Sequence, residues 1–163
     1  MSVRIIQALI LVLFLCFNSL GCSGQDSFKA KEGRNQQVEN KQDISSDPMA
    51  KYFLTANPGS ELLKTARADL NGDGRADLVV IYRVAQDKNM MRVVLNLNRA
   101  LTLTNEVLAP RENQSIQFRD IDKKPPMEFI VQGSKGAKMG YAIYRIEGKI
   151  LKDIFGEGMG DCC

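Results

Sequence analysis

Residues 69–82 read Asp-Leu-Asn-Gly-Asp-Gly-Arg-Ala-Asp and then Leu-Val-Val-Ile-Tyr, an acidic loop that runs without a break into a β-branched apolar stretch. The pattern demands a tight turn leading into a buried strand: Gly72 and Gly74 permit positive φ angles, and residues 77–84 have the composition of a strand bounded by turn signals. Oxygen-bearing side chains fall at positions 1, 3, 5 and 9 of the loop, on Asp69, Asn71, Asp73 and Asp77. A hard cation such as Ca²⁺ takes about six to eight oxygen ligands from carboxylates, amides and backbone carbonyls. The carbonyl of Arg75, at position 7, adds one. Without an ion, three carboxylates would repel one another at close range. The candidate metal ligands are therefore Asp69, Asn71, Asp73, Arg75 and Asp77. The alternative is an Asn-Gly/Asp-Gly turn whose acids face water. An EF-hand opens in the same way, but it needs a bidentate Glu at position 12 and flanking helices. Position 12 is Val80, within a strand, so an EF-hand is excluded.

The rest of the folded part also reads as strands. Asp47-Pro48 ahead of Met49, Tyr52 and Phe53 predicts a short helix over about residues 48–55, with Asp at the N-cap and Pro at the first position, stopped by Asn57-Pro58-Gly59. Strand signals follow at 77–84, 92–97, 101–104 with Val107, 115–118, 127–131, 141–146 and 150–155. Residues 66–83 align with 118–134 at an offset of 51, placing Asp69 over Asp120, Asn71 over Asp122 and Asp77 over Glu128. A repeat of that period implies two β units, about residues 64–108 and 115–155, each with one face buried against the other. The fold expected is all-β apart from the short helix: two four-stranded antiparallel units, as a sandwich or a partial propeller. In the second loop Lys124 replaces a ligand and Pro125-Pro126 replace the glycine turn, which argues against a second ion. Lys123 or Lys124 is expected to neutralise Asp120, Asp122 and Glu128 in part, leaving a structural relic.

The stretch DLNGDGRADL resembles the acidic loop of FG-GAP and VCBS-type repeats, in which such a loop leads straight into an apolar strand. The resemblance is strong over residues 66–83 and weak over the second unit. It implies Ca²⁺ bound by Asp69, Asn71, Asp73, Asp77 and the Arg75 carbonyl. Two units are too few to close a propeller of that family.

Residues 1–21 form the three-part layout of an export signal: Arg4 supplies a charge, residues 5–17 are apolar except for Gln7, and small residues close the run. About 13 apolar residues fall short of the roughly 20 that span a bilayer as a helix. Gly21-Cys22 resembles the lipobox of bacterial lipoproteins, although Ser19 and Leu20 occupy positions where that pattern has Leu and a small residue. The resemblance implies lipidation at Cys22 and, with Ser23 following, an outer-membrane location facing the periplasm. Residues 22–46 are polar, with Phe28 their one aromatic, and are read as a tether between lipid and domain.

Composition narrows the function. The 163 residues contain no His and no Trp, which removes the commonest general base and zinc ligand and any Trp-lined sugar platform. Without Arg4 the chain has 21 basic residues against 19 acidic ones, no footprint for nucleic acid. The 133–140 segment lacks the Gly-Lys-Ser/Thr ending of a phosphate loop and reads as a hairpin turn. Asp120 and Asp122 lie two apart in one loop, unsuited to a glycosidase pair. The tail 156–163 is too glycine-rich for a strand and ends in Cys162-Cys163, for which a vicinal disulfide, a pairing between chains and a soft-metal site are the alternatives. The function expected is a non-enzymatic, Ca²⁺-braced binding or scaffold module on a lipid anchor, with an unidentified protein or envelope polymer as partner. The alternatives are thiol-based redox or metal handling through Cys162 and Cys163, or a small hydrolase or inhibitor.

Overall fold

The computed structural model describes residues 46–163, so the signal, Cys22 and nearly all of the tether lie outside the described residues. It begins with helix α1 (Pro48–Ala56), whose N-cap Asp47 accepts a hydrogen bond from the Met49 N–H at 2.8 Å and also pairs with Arg67. Asn57 ends it, with its backbone and side-chain N–H groups both on the Phe53 carbonyl. Nine antiparallel strands follow: β1 (Glu61–Ala68), β2 (Asp77–Ala85), β3 (Lys88–Leu97), β4 (Ala100–Leu103), β5 (Val107–Ala109), β6 (Glu112–Arg119), β7 (Glu128–Lys135), β8 (Lys138–Glu147) and β9 (Ile150–Glu157). A single helical turn, α2 (Met159–Cys162), completes the chain.

The strands form two sheets, in the orders β1-β2-β3-β4 and β6-β7-β8-β9. Strand β5 lies beyond β4 along the same edge of β3, so the first sheet is also four strands wide. The architecture is an all-β sandwich of two four-stranded antiparallel sheets, as the strand and turn signals imply. The glycine-rich tail departs from expectation. Strand β9 continues through Gly156 to Glu157, because pairing of Ile143, Ala142 and Tyr141 with Phe155, Gly156 and Glu157 outweighs glycine's weak strand preference.

Between the sheets lies one core, including Val79, Ile81, Val93 and Leu95 from the first, Leu70 from the loop after β1, and Phe129, Val131, Ala142, Tyr144 and Ile146 from the second. A second cluster covers the far side of the first sheet, where Met49, Ala50 and Phe53 of α1 pack on Leu78, Val80, Tyr82 and Val94. Phe53 is fully buried, its ring edge-on to Tyr82 at a centroid distance of 4.7 Å.

The two sheets meet with opposite faces. Asp77 and Glu128 each open the second strand of their sheet, opposite Ala68 and Arg119. Counting from them, the first sheet buries the second residue after Asp77, Val79, against its partner sheet, whereas the second sheet buries the first residue after Glu128, Phe129. Because side chains alternate along a strand, the face that the first sheet turns inward is the face that the second sheet turns outward. There Ile130, Tyr141 and Ile143 are half-buried and Phe155 is exposed. The sheets therefore stack front to back.

Candidate metal site

Both acidic loops bridge the first two strands of their sheets, and both are built around the carboxylate that ends them. Asp77 is fully buried, accepting from the Leu70 N–H at 3.0 Å and from the Asn96 N–H at 2.8 Å. Glu128, equally buried, accepts from the Ile121 N–H at 2.9 Å. Each thus caps the second residue of its own loop, seven positions back. The longer Glu side chain reaches the same backbone group that Asp reaches in the first loop.

In the 69–77 loop the remaining oxygens are drawn inward by the loop's own backbone. Asp69 accepts from the N–H groups of Gly72, Asp73 and Gly74, with the shortest contacts at 2.8 Å. Asn71 accepts from the Asp73 N–H at 3.0 Å, and Asp73 from the Arg75 N–H at 2.9 Å. Gly72 and Gly74 take φ angles of 76° and 82°, the conformation expected of them. The Arg75 guanidinium pairs with Asp73 at 2.8 Å and donates to the Asn96 carbonyl at 3.0 Å, so it lies along the outside of the loop. Val80, in the position that an EF-hand reserves for glutamate, lies mid-strand in β2.

The buried carboxylate of the first loop and the exposed ones of both loops are shifted in opposite directions: Asp73, bonded to Arg75, is held below its ordinary pKa. Burial raises the Asp77 carboxyl above its ordinary pKa, the Asn96 and Leu70 N–H groups oppose that, and the charges of Asp73 and Asp69 push it up again. In the second loop, the hydrogen bond from Arg145 holds Asp122 below its ordinary pKa, helped by the Lys124 N–H. Arg145 pairs with both Asp122 and Glu128. The partial neutralisation expected of Lys123 or Lys124 is met by Lys124 only as a minor contribution to Asp122, and Arg145 is the main counter-charge. Neither lysine side chain forms an ion pair among the described residues; Lys124 gives Asp122 its backbone N–H and a longer-range attraction. Lys123 adopts a φ of 59° at the place of Gly72.

Arg145 was hidden from sequence reasoning because it lies 17 residues from Glu128 in the chain. Only the β7–β8 register makes them neighbours. A signal was present, however. Val79 and Ile130 both stand two residues after their loop carboxylate and pair with Val93 and Ile143. Two residues further on are Leu95 and Arg145. The charged residue breaks an otherwise matching apolar pattern.

Among the described residues, one set of three carboxylates brings its oxygens within 4.8 Å of one another: Asp120, Asp122 and Glu128. This is the loop in which Arg145 already supplies a positive charge. Asp69, Asp73 and Asp77 are not gathered to that degree, because the loop N–H groups hold Asp69 and Arg75 holds Asp73. Cys162 and Cys163, the other candidate site, are free thiols in and beside α2, with Sγ atoms 3.7 Å apart. Among the described residues no helix is long and apolar enough to cross a membrane. No family model matches the chain, and neither a curated protein nor a solved structure matches it.

Proposed function

We propose that the chain is a non-enzymatic binding or scaffold module, tethered to a bacterial envelope membrane through Cys22, whose 69–77 loop is braced by Ca²⁺. The observation that carries the calcium reading is the contrast between the loops. Where the second sheet places Arg145 against Glu128, the first sheet places Leu95, and buried Asp77 faces the charges of Asp69 and Asp73, of which Arg75 pairs only with Asp73. A divalent ion would relieve that repulsion, as the arginine does in the second loop. The donor set suits a hard cation: the side-chain oxygens of Asp69, Asn71, Asp73 and Asp77 with the Arg75 carbonyl, and no sulfur or imidazole. Bound there, Ca²⁺ would supply charge neutralisation and cross-linking of the loop to β2; it would not supply catalysis.

Three features support the module reading over an enzyme. The chain contains no histidine. The carboxylates at 69, 73, 77, 122 and 128 are engaged by backbone N–H groups and arginines. The 69–77 loop resembles that of FG-GAP and VCBS-type repeats, a resemblance that implies a bound ion and names no catalytic residue. Isothermal titration of the full chain with Ca²⁺ tests the ion: one equivalent bound in the wild type and none in Asp69→Ala is expected. No calcium-dependent heat in the wild type overturns the reading. For the anchor, a palmitate analogue should label the wild type and not Cys22→Ala.

A further inference from the structure

The carboxyl-terminal turn gathers sulfur. After β9, Gly158 takes a φ of 66° and α2 folds back against β7 and β8. Gly140 of β8 allows this close approach, since a Cβ there would sit 2.5 Å from the Gly158 carbonyl and 2.9 Å from Cys162 Sγ. The Arg111 N–H donates to the Cys162 carbonyl at 3.0 Å, tying the turn to the segment that joins the two sheets. Within this cradle Cys162 is fully buried. Its Sγ lies 3.7 Å from Cys163 Sγ and 3.8 Å from Met159 Sδ. A disulfide would need about 2.05 Å. Two sulfurs sharing one metal ion, each about 2.3 Å from it, stand about 3.7–4.0 Å apart at tetrahedral to trigonal angles. At 3.7 Å the two sulfurs are in van der Waals contact without a bond, and the same spacing suits two ligands of a common ion.

We propose that Cys162, Cys163 and Met159 form a binding site for a soft monovalent ion of the Cu(I) and Ag(I) class, separate from the acidic loop. Thiolates and thioethers select such ions, whereas zinc in a closed site takes four thiolate, imidazole or carboxylate ligands. The chain has no histidine to complete a zinc set. On binding, each cysteine exchanges its S–H bond for a sulfur–metal bond and releases a proton to solvent, while Met159 donates a lone pair. No oxidation state changes.

The test is titration of the reduced full chain with Cu(I) in competition with bicinchoninate, repeated with Ag(I). The wild type is expected to bind one equivalent more than C162S/C163S, a difference to which Cys16 and Cys22 do not contribute. Cys163→Ser, altering only the half-buried thiol, gives the same loss if the double variant does not fold. Met159→Leu keeps the packing volume and should weaken binding by roughly tenfold through loss of the thioether. Equal stoichiometry in wild type and cysteine variants overturns the site. So does an unchanged affinity in Met159→Leu, or displacement of Cu(I) by equimolar Zn²⁺. A Cys162–Cys163 disulfide in the isolated protein, with no Cu(I) binding after its reduction, overturns it equally.

Discussion

Arg145 and Glu128 show how one side chain decides what a loop requires. Glu128 is fully buried, and its two oxygens divide between the Ile121 N–H and the guanidinium of Arg145. Removing one partner of a buried pair leaves an uncompensated charge, which costs far more than the pair itself contributes. Arg145→Ala is therefore expected to destabilise the protein by about 2–4 kcal/mol, the lower end reflecting solvent near Asp122. Replacing both members, as Glu128→Gln with Arg145→Met, should recover most of that loss. Urea unfolding of the two variants checks this, and additive losses in the double variant would contradict the pairing. Asp77 is the converse case, a buried carboxylate satisfied by two backbone N–H groups but facing like charges. Sequence spacing located Asp69, Asn71, Asp73, Arg75 and Asp77 because they lie in one local turn. Spacing gave no view of Arg145, which reaches the second loop, at Asp122 and Glu128, only through the β7–β8 pairing.

At the scale of elements, α1 does for the first sheet what no element among the described residues does for the second. It covers the outward face with Met49, Ala50 and Phe53, so that Leu78, Val80 and Tyr82 are buried on one side while Val79 and Ile81 are buried on the other. This explains why residues 77–82 read as a continuous apolar run rather than an alternating one. Among the described residues the second sheet has no such cover, and β8 alternates buried and half-buried residues from Gly140 to Ile146. Phe53→Ala is expected to cost about 3–5 kcal/mol. It should lower the melting temperature while leaving the acidic loop, on another part of the sheet, able to bind its ion. Thermal melting followed by calcium titration of that variant separates the two effects. The helix and strands were legible because capping residues, glycine turns and β-branched runs are local signals. The path of β9 through Gly156 was not, because its pairing partners on β8 hold it there.

For the whole molecule, the front-to-back stacking follows from a one-residue difference in which side of the strand enters the core. Both sheets keep the same loop architecture, yet Phe129 rather than Ile130 fills the interior. No local pattern announces this, since either face of β7 carries apolar residues. The stability of the assembled domain should record the acidic loop through pH. A carboxyl whose folded pKa is raised disfavours the fold when ionised. The ion-free protein is thus expected to gain stability as pH falls from neutral through the raised pKa of Asp77 toward its ordinary value. Below that, protonation of Asp73 and Asp122, whose pKa values are lowered, removes their contributions and stability falls again. With Ca²⁺ bound the gain on acidification should vanish, because protons then compete with the ion for the same oxygens.

The most direct measurement is the melting temperature of the full chain at neutral pH, in chelator and in Ca²⁺, for the wild type and for Asp69→Ala. At about one hundred times the dissociation constant, an ion bound only by the folded state adds about 2.7 kcal/mol. For a domain of this size that is a rise on the order of 10 °C. The rise should occur in the wild type and be absent from Asp69→Ala. A wild type that melts at the same temperature in chelator and in saturating Ca²⁺ would contradict a calcium-braced loop.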